Sequence, residues 1–205
     1  MAAYAWATIE WGTPPLKFKQ PLPPSPPRDR WLTNGEAQKL LEATRAYHIR
    51  LFILLALQTA QRSIAICDLT WEKGVRGQRI NLEDNLIDFG QGTGNKRRAI
   101  VPINPQLRET LEEARECATC DYVVEYASKK VINSRKGVSR SAERAGLGKL
   151  GKHVLRHTAA TWMVMDGRSD EETARYLGTT ADMVRKVYGH HDPDFLKSAS
   201  KALEI

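Results

Sequence analysis

Proline is concentrated in one short stretch of this chain, and that stretch limits where a fold can begin. Seven of the ten prolines lie within residues 14–27. Because proline fixes φ and has no amide hydrogen to donate, the stretch excludes a helix and favours an extended, semi-rigid linker. Residues 2–11 suit a helix but are too few to fold alone, and two interpretations stay open: the last helix of a separate domain, or a disordered start. The sequence therefore predicts two parts, residues 1–30 as an N-terminal fragment with its Pro-rich linker and residues 31–205 as a domain.

Length and charge narrow the class of protein. The 205 residues are 41% hydrophobic, which is enough for one globular domain with a substantial core. Lys and Arg number 31 against 24 Asp and Glu, giving a formal net charge of +7. An excess of base favours a polyanionic partner, because neutralising phosphates is the main sequence-independent contribution to nucleic-acid binding. Many other proteins carry a similar charge, so motifs have to identify the partner.

Membrane and metal-binding classes are not indicated. No apolar run is long enough to cross a bilayer, and the N-terminus lacks the pattern of a secretory signal, so we expect a cytoplasmic protein. Cys67 lies in an apolar helical stretch, while Cys117 and Cys120 form a single C-x-x-C without a second ligand pair at zinc spacing. We interpret these cysteines as reduced structural thiols, with metal or redox use as the alternative. His190 and His191 are adjacent and do not share a helix face, so no metal site is predicted.

Apolar spacing changes from helical to extended and back again along the domain. Helical spacing predicts helices at about 33–46 and 50–57 and a third from residue 63. Alternation then predicts short strands at 78–82, 86–89 and 99–103, with a Gly-rich basic tip at 91–98 between the last two. Helices are predicted again at about 105–116, 134–145, 153–165, 169–178, 181–187 and 193–203, with helix-start signals at Thr33, Ser169 and Asp192. A small sheet is therefore inserted into a helical domain.

One predicted helix carries the residues with the clearest chemical meaning. Its first turns read His153-Val154-Leu155-Arg156-His157-Thr158. Because residues three apart share a helix face, His153 and Arg156 can address one phosphate, as an acid or base and as a bidentate ligand for oxygen anions. Tyr188 follows downstream and supplies a phenol as a candidate nucleophile. These residue types outline DNA strand cleavage without a metal.

Four sequence blocks occur in a fixed order along the domain. They are Arg62 after Leu57-Gln58-Thr59-Ala60-Gln61 with Leu69-Thr70-Trp71 behind it, the basic hairpin ending in Val101-Pro102-Ile103, the box from His153 to Thr158, and Leu177-Gly178 with Tyr188 ten residues after the glycine. In order and spacing these blocks resemble the tyrosine recombinase (phage integrase) family. The resemblance covers residues 31–205, which correspond to that family's catalytic domain.

The resemblance implies a fold and a function. The expected fold is mainly α with a small three-stranded antiparallel β-sheet (α+β). The expected activity is that of a site-specific DNA recombinase or integrase, which cleaves and rejoins DNA through a covalent 3′-phosphotyrosine and needs neither ATP nor a metal. The implied partner is double-stranded DNA, bound by a protein that is monomeric when free and homotetrameric on DNA, with accessory DNA-bending proteins as further candidates.

The family's pattern also assigns roles to residues of this chain. Tyr188 matches the nucleophile, and Arg62 and Arg156 match the two arginines that stabilise charge on the phosphate oxygens. His153 fits an acid/base role, since the ordinary pKa of histidine lies near neutral pH. Lys96, the one lysine on the hairpin tip, matches the residue that protonates the leaving 5′-oxygen.

Three positions depart from the family's pattern. Thr93 occupies the usual slot of the catalytic lysine when the tip is aligned on its commoner Gly-Lys-Gly-Asn-Lys version, which leaves Lys96 to act from a shifted position. Thr179 stands where a second histidine or a tryptophan is usual, and a threonine can donate one hydrogen bond to a phosphate oxygen but carries no charge. Ala65 replaces a common glutamate. Thr93 and Thr179 are therefore predicted as supporting residues.

The same sequence leaves alternatives open. Lys96, Arg97, Arg98 and His157 are predicted to contact DNA, although Lys96 also fits an ordinary solvated charge. Tyr188 also fits an aromatic residue of the core. At the level of function, the alternatives are a DNA-binding relative of the family that has lost cleavage and a type IB topoisomerase-like enzyme that relaxes DNA.

Overall fold

A computed structural model of the chain describes residues 30–92 and 98–191. The predictions for residues 1–29, for the hairpin tip from Thr93 to Arg97 and for the last helix from Pro193 lie outside these residues.

The described residues form a helical domain with a small sheet between its third and fourth helices. In chain order the elements are α1 (Asn34–Glu42), α2 (Tyr47–Thr59), α3 (Ser63–Cys67), β1 (Arg79–Asn81), β2 (Leu86–Asp88), β3 (Ile100–Pro102), α4 (Pro105–Glu116), β4 (Glu125–Tyr126), β5 (Lys129–Lys130), α5 (Arg135–Arg144), α6 (Lys152–Met165), α7 (Asp170–Leu177) and α8 (Ala181–Tyr188), followed by a 3₁₀ turn at Gly189–His191. The predicted mainly α fold with a three-stranded antiparallel sheet is confirmed.

Helix ends follow the cap residues that the sequence predicts. At α1, the Thr33 hydroxyl accepts a hydrogen bond from the Glu36 amide, and the Glu36 carboxylate accepts one from the Thr33 amide. At α7, the Ser169 side chain accepts from the Glu172 amide. Gly178 ends α7 in the left-handed conformation, with φ 65°, which costs glycine nothing because it has no Cβ.

The core is built around α2 and α6. Nine of the 13 residues of α2 are buried, so this helix lies inside the domain with little of its surface exposed. It packs against α6, and α6 in turn contacts α7 and α8. Within the described ranges, no helix has both the length and the apolar character that crossing a membrane requires.

The three-stranded sheet is antiparallel in the order β1-β2-β3. Ile80, Ile87 and Val101 lie opposite one another in the central row of the register. These three side chains are buried, while the residues on either side of them are exposed or half-buried. This is the alternation on which the prediction of the strands depended.

A second hairpin, β4 with β5, was not predicted from the sequence. Each strand has only two residues, and the turn between them is Ala127-Ser128, with φ 52° and 57°. Such turns usually contain Asn or Gly, because left-handed backbone disfavours other residues. The ordinary sequence signal for a hairpin is therefore missing here.

The contact between α5 and α2 supplies the first prediction. A Cβ placed on Gly137 of α5 would lie 2.6 Å from Ile49 Cγ1 and closer still to its Cδ1, and Ile49 is buried. We expect Gly137→Ala to lower Tm, because overpacking a core costs about 1–3 kcal/mol. The gain in helix propensity is at most about 1 kcal/mol and does not offset it.

Gly35→Ala is the matched control for thermal unfolding. Gly35 is also helical, and a Cβ there would meet no atom within 4 Å. The control should melt at or above the Tm of the parent protein. Equal Tm values for the two variants would contradict the tight contact of α5 with α2.

Candidate active site

Helix α6 divides the predicted box between the core and the surface. Leu155 and Thr158 are fully buried, His153 is exposed, and Arg156 and His157 are half-buried. Because His153 precedes Arg156 by three residues and His157 by four, these three lie on one face of the helix. The spacing of residues in the box thus determines which side chains face the core and which lie at the surface of α6.

Thr158 anchors α6 to the start of the domain. Its hydroxyl accepts a hydrogen bond from the Leu32 amide at 2.9 Å and donates one to the Val154 carbonyl. The Trp162 indole donates to the Leu32 carbonyl at 2.9 Å. The backbone before α1 is thereby fixed along α6, which holds the helix in place.

The loop between α2 and α3 brings the first arginine to this face. Ala60 ends α2 in the left-handed conformation, with φ 54°, and the buried Gln61 donates to the Tyr176 carbonyl at 2.6 Å. Arg62 follows as the N-cap of α3. Arg156 donates to the Ala60 carbonyl at 2.9 Å, so the second arginine is bonded to the loop that carries the first.

The two arginines and the tyrosine influence one another electrostatically. The pKa of Arg156 is lowered to about 10, first by burial and then by the positive charge of Arg62, whereas Tyr188 acts to raise it. Arg156 stays charged at neutral pH all the same. Two like charges held together in a partly buried position form a site in which an anion such as a phosphodiester relieves the repulsion.

Tyr188 is the last residue of α8, and its ring lies in a small core cluster with Ala160, Leu177 and Val184. The residue is 8% exposed. Its hydroxyl nevertheless has a polar partner, since Tyr188 Oη lies 2.9 Å from His157 Nδ1. Burial raises the pKa of Tyr188, and the charge of Arg156 offsets part of that rise. The phenol is therefore both a core aromatic and a member of the polar cluster.

The structure thus brings together Arg62, Arg156, His157 and Tyr188, with His153 on the same helix face. Comparison with known sequences identifies the family: the sequence model of the Phage integrase family matches residues 30–194. This chain belongs to the phage integrase family.

Among its relatives in that family is the integrase of Escherichia phage 186, which is 30% identical over 199 residues that cover 94% of this chain and 53% of that protein. A similar solved structure is the crystal structure of the XerH site-specific recombinase bound to palindromic difH substrate, a post-cleavage complex. The XerH chain is 25% identical in sequence, and its TM-score is 0.62, with 83% of this chain and 52% of that one covered. The catalytic domain of bacteriophage HP1 integrase has a TM-score of 0.60 at 23% identity, over 83% of this chain and 93% of that domain. The chain spans about half the length of the phage 186 integrase that it matches.

The described residues include two of the positions at which the chain departs from the family's pattern, Ala65 and Thr179. Ala65 is 3% exposed and points into the core, so no carboxylate arises from that position. Thr179 is half-buried, and its amide donates to the Ala174 carbonyl at 2.9 Å, closing the end of α7. Thr93 and Lys96, which concern the third departure, lie outside the described residues.

Arg98 has a different setting from the one predicted. Its side chain is 8% exposed, pairs with Asp68 at 2.9 Å and donates to the Phe89 carbonyl at 2.9 Å. Lys130 of β5 pairs with the other oxygen of the same carboxylate at 2.5 Å. Burial acts to raise the pKa of Asp68, but the hydrogen bonds from Lys130 and Arg98 outweigh it and lower the pKa overall. Because a guanidinium engaged in this way is turned inward, the geometry argues against a DNA contact by Arg98.

Two features of the structure were not predicted from the sequence. They are the ion pairs of Asp68 and the contact of His157 with Tyr188. The carboxylate of Asp68 ties the end of α3 to the root of the basic hairpin and to β5, and nothing in its local sequence indicates partners that are 30 and 62 residues away. His157 lies against Tyr188, a contact that was not predicted, and its predicted contact with DNA stays a prediction. The available signal was its spacing of four residues from His153.

The cysteines do not add a site to this face. Cys67 is buried, Cys117 is exposed and Cys120 is half-buried, and none of the three forms a disulfide. Over residues 30–92 and 98–191, no group of three or more His, Cys, Asp or Glu side chains is arranged to hold a metal ion.

Proposed function

We propose that this chain is the DNA-cleaving part of a site-specific recombinase or integrase, which breaks and rejoins double-stranded DNA through a covalent 3′-phosphotyrosine. The observation that carries the proposal is the convergence of Arg62, Arg156 and Tyr188 from three separate elements of the fold. Arg156 is bonded to a neutral backbone carbonyl and lies beside the positive charge of Arg62. That arrangement suits a phosphate that arrives with the substrate.

In the proposed cleavage reaction the two arginines bind the phosphate and Tyr188 attacks it. The guanidinium groups of Arg62 and Arg156 hold the non-bridging oxygens and stabilise the charge that develops on them. The Tyr188 oxygen forms a bond to phosphorus while the bond from phosphorus to the 5′-oxygen breaks, so the energy of the phosphodiester is retained in the phosphotyrosine. The reverse step rejoins the strand.

The remaining predicted residues have supporting roles in this proposal. His153 lies at the exposed edge of the cluster as an acid/base group or phosphate ligand, and Thr179 replaces a charged or aromatic partner by a hydroxyl. Lys96, with Thr93 and Arg97 beside it, stays the predicted proton donor and DNA contact of the hairpin tip.

The partner and the organisation of the complete protein are also proposed. XerH is bound to palindromic difH substrate in a post-cleavage complex, and the match to the HP1 catalytic domain extends over nearly all of that domain. These relationships support double-stranded DNA as the partner and residues 31–205 as a catalytic domain behind the N-terminal fragment of residues 1–30. We further propose a cytoplasmic protein that is monomeric when free and tetrameric on DNA, with accessory DNA-bending proteins where the target requires bending.

Covalent capture tests the function with no defined target sequence. The protein is incubated with a library of duplexes that carry a nick beside randomised sequence, so that the short cleaved strand diffuses away and the adduct cannot reverse. We expect an adduct that survives denaturation, and digestion should place the DNA on the peptide containing Tyr188. Salt-dependent DNA binding with no adduct would instead indicate a relative that has lost cleavage.

A further inference from the structure

Neither the proposed phosphate ligands nor the proposed proton donor accounts for the contact between Tyr188 and His157. The two side chains come from different helices, α8 and α6, and their rings are tilted by 53° with centroids 5.6 Å apart. The atoms that meet are the phenol oxygen and the ring nitrogen Nδ1, at 2.9 Å. This is a hydrogen bond to the very oxygen that the proposed reaction requires as a nucleophile.

We propose that His157 is the proton acceptor that activates Tyr188. This inference rests on the proposed function and adds a catalytic residue to it. His157 stands next to Arg156 in the chain, so the helix that positions the phosphate ligand also positions the base.

The chemical need for such a group follows from the environment of the phenol. An ordinary phenol has a pKa of about 10, and burial raises the pKa of Tyr188 further. The phenol must therefore pass its proton to a neighbour as it attacks. Arg156 and Arg62 are donors only and cannot accept it, whereas an imidazole with its own hydrogen on Nε2 presents a lone pair at Nδ1.

Each proton transfer then has a donor and an acceptor, both in cleavage of the strand and in its rejoining. During cleavage the Tyr188 proton moves to His157 Nδ1, the phenolate oxygen bonds to phosphorus, and the 5′-oxygen leaves with a proton from a separate donor, for which Lys96 is the prediction. During rejoining the 5′-hydroxyl attacks phosphorus, the bond to Tyr188 breaks, and the His157 imidazolium returns its proton to the phenolate. Base and acid are thus different residues.

Other groups around His157 would affect its titration. On its own helix these are His153 and Arg156, from the α2–α3 loop Arg62, and from α8 Tyr188. The 3₁₀ turn that contacts α6 carries His190 and His191, while α7 contributes Ala174 and Leu177 to the adjoining core cluster and its titratable Tyr176 packs against that cluster. Only the neutral form of the imidazole is able to accept a proton.

The first test needs no DNA. In the free protein, ¹⁵N NMR of His157 should identify Nε2 as the protonated nitrogen and Nδ1 as an acceptor, and Tyr188→Phe should shift the Nδ1 resonance. A hydrogen on Nδ1 would make the histidine the donor in this contact and would overturn the proposal.

The second test separates a base from a structural support. On a nicked duplex recovered by covalent capture, we expect His157→Gln to slow adduct formation by about 10²–10⁴-fold at neutral pH. The loss should shrink about tenfold per pH unit as hydroxide replaces the base. A loss of constant size across the pH range would overturn the proposal, because a mere packing defect does not recover with pH.

The third test separates the base from the acid. In a duplex with sulfur in place of the 5′-bridging oxygen, the leaving thiolate needs no proton. The His157→Gln defect should persist with this substrate, and its disappearance would assign the histidine to the leaving group instead. His48→Gln is the matched control, since His48 is a half-buried histidine stacked on Tyr126 away from the cluster and its replacement should leave the rate unchanged. A wild-type protein that forms no adduct would contradict the proposed function and leave the NMR result to decide the hydrogen bond.

Discussion

Replacing Tyr188 with phenylalanine is expected to abolish the covalent protein–DNA adduct, whatever the pH or the duplex. The substitution removes one oxygen atom, and that oxygen is the atom proposed to bond to phosphorus. The ring itself remains in the core cluster with Val184 and Leu177, so the fold should be kept. The measurement is a denaturing gel of protein trapped on the nicked duplex, with circular dichroism to confirm folding.

Tyr176→Phe is the matched control for this experiment. Tyr176 is half-buried, its pKa is also raised by burial, and its hydroxyl donates to the Gln58 carbonyl at 2.7 Å. The same single oxygen is lost, but this hydroxyl is bonded to a backbone carbonyl and not to His157. Adduct formation should survive in Tyr176→Phe, and an adduct that persists in Tyr188→Phe would refute the assignment of the nucleophile.

The fold was predictable from the sequence wherever local signals agreed. The helix at 105–116 appears with the predicted bounds because Asn104 caps it and Pro105 occupies its first position. The three strands were found because Ile80, Ile87 and Val101 alternate with exposed or half-buried neighbours. The β4–β5 hairpin escaped because its two-residue strands are too short for periodicity and its turn lacks glycine.

The site was predictable in its composition but not in its contacts. Spacing places His153, Arg156 and His157 on one helix face, and family resemblance adds Arg62 and Tyr188. No sequence pattern states that the phenol would lie against His157 rather than His153, because that depends on how α8 packs on α6. The same limit applies to Arg98, whose inward ion pair with Asp68 depends on the tertiary fold.

Arg156→Lys is expected to lower the rate of adduct formation by about 10³-fold or more, the range found for an arginine that stabilises the charge developing in phosphoryl transfer. Lysine keeps the positive charge but replaces the planar fork by a single ammonium nitrogen, so it cannot present two parallel N–H donors to the phosphate while it bonds the Ala60 carbonyl. Binding to uncleaved DNA should change little by comparison, since a single cation is retained. Rapid-quench kinetics on the nicked duplex separates the two quantities.

Arg168→Lys is the matched control for this prediction. It changes an exposed arginine that pairs with Asp166 just beyond the end of α6, and the variant protein should cleave DNA at the parent rate. Arg156→Ala should be slower still than Arg156→Lys, because the second like charge beside Arg62 disappears and with it much of the attraction for phosphate. If the Arg156→Lys variant cleaved DNA as fast as the parent protein, Arg156 would act only as a point charge. The bidentate hydrogen bonding proposed for the phosphate would then be wrong.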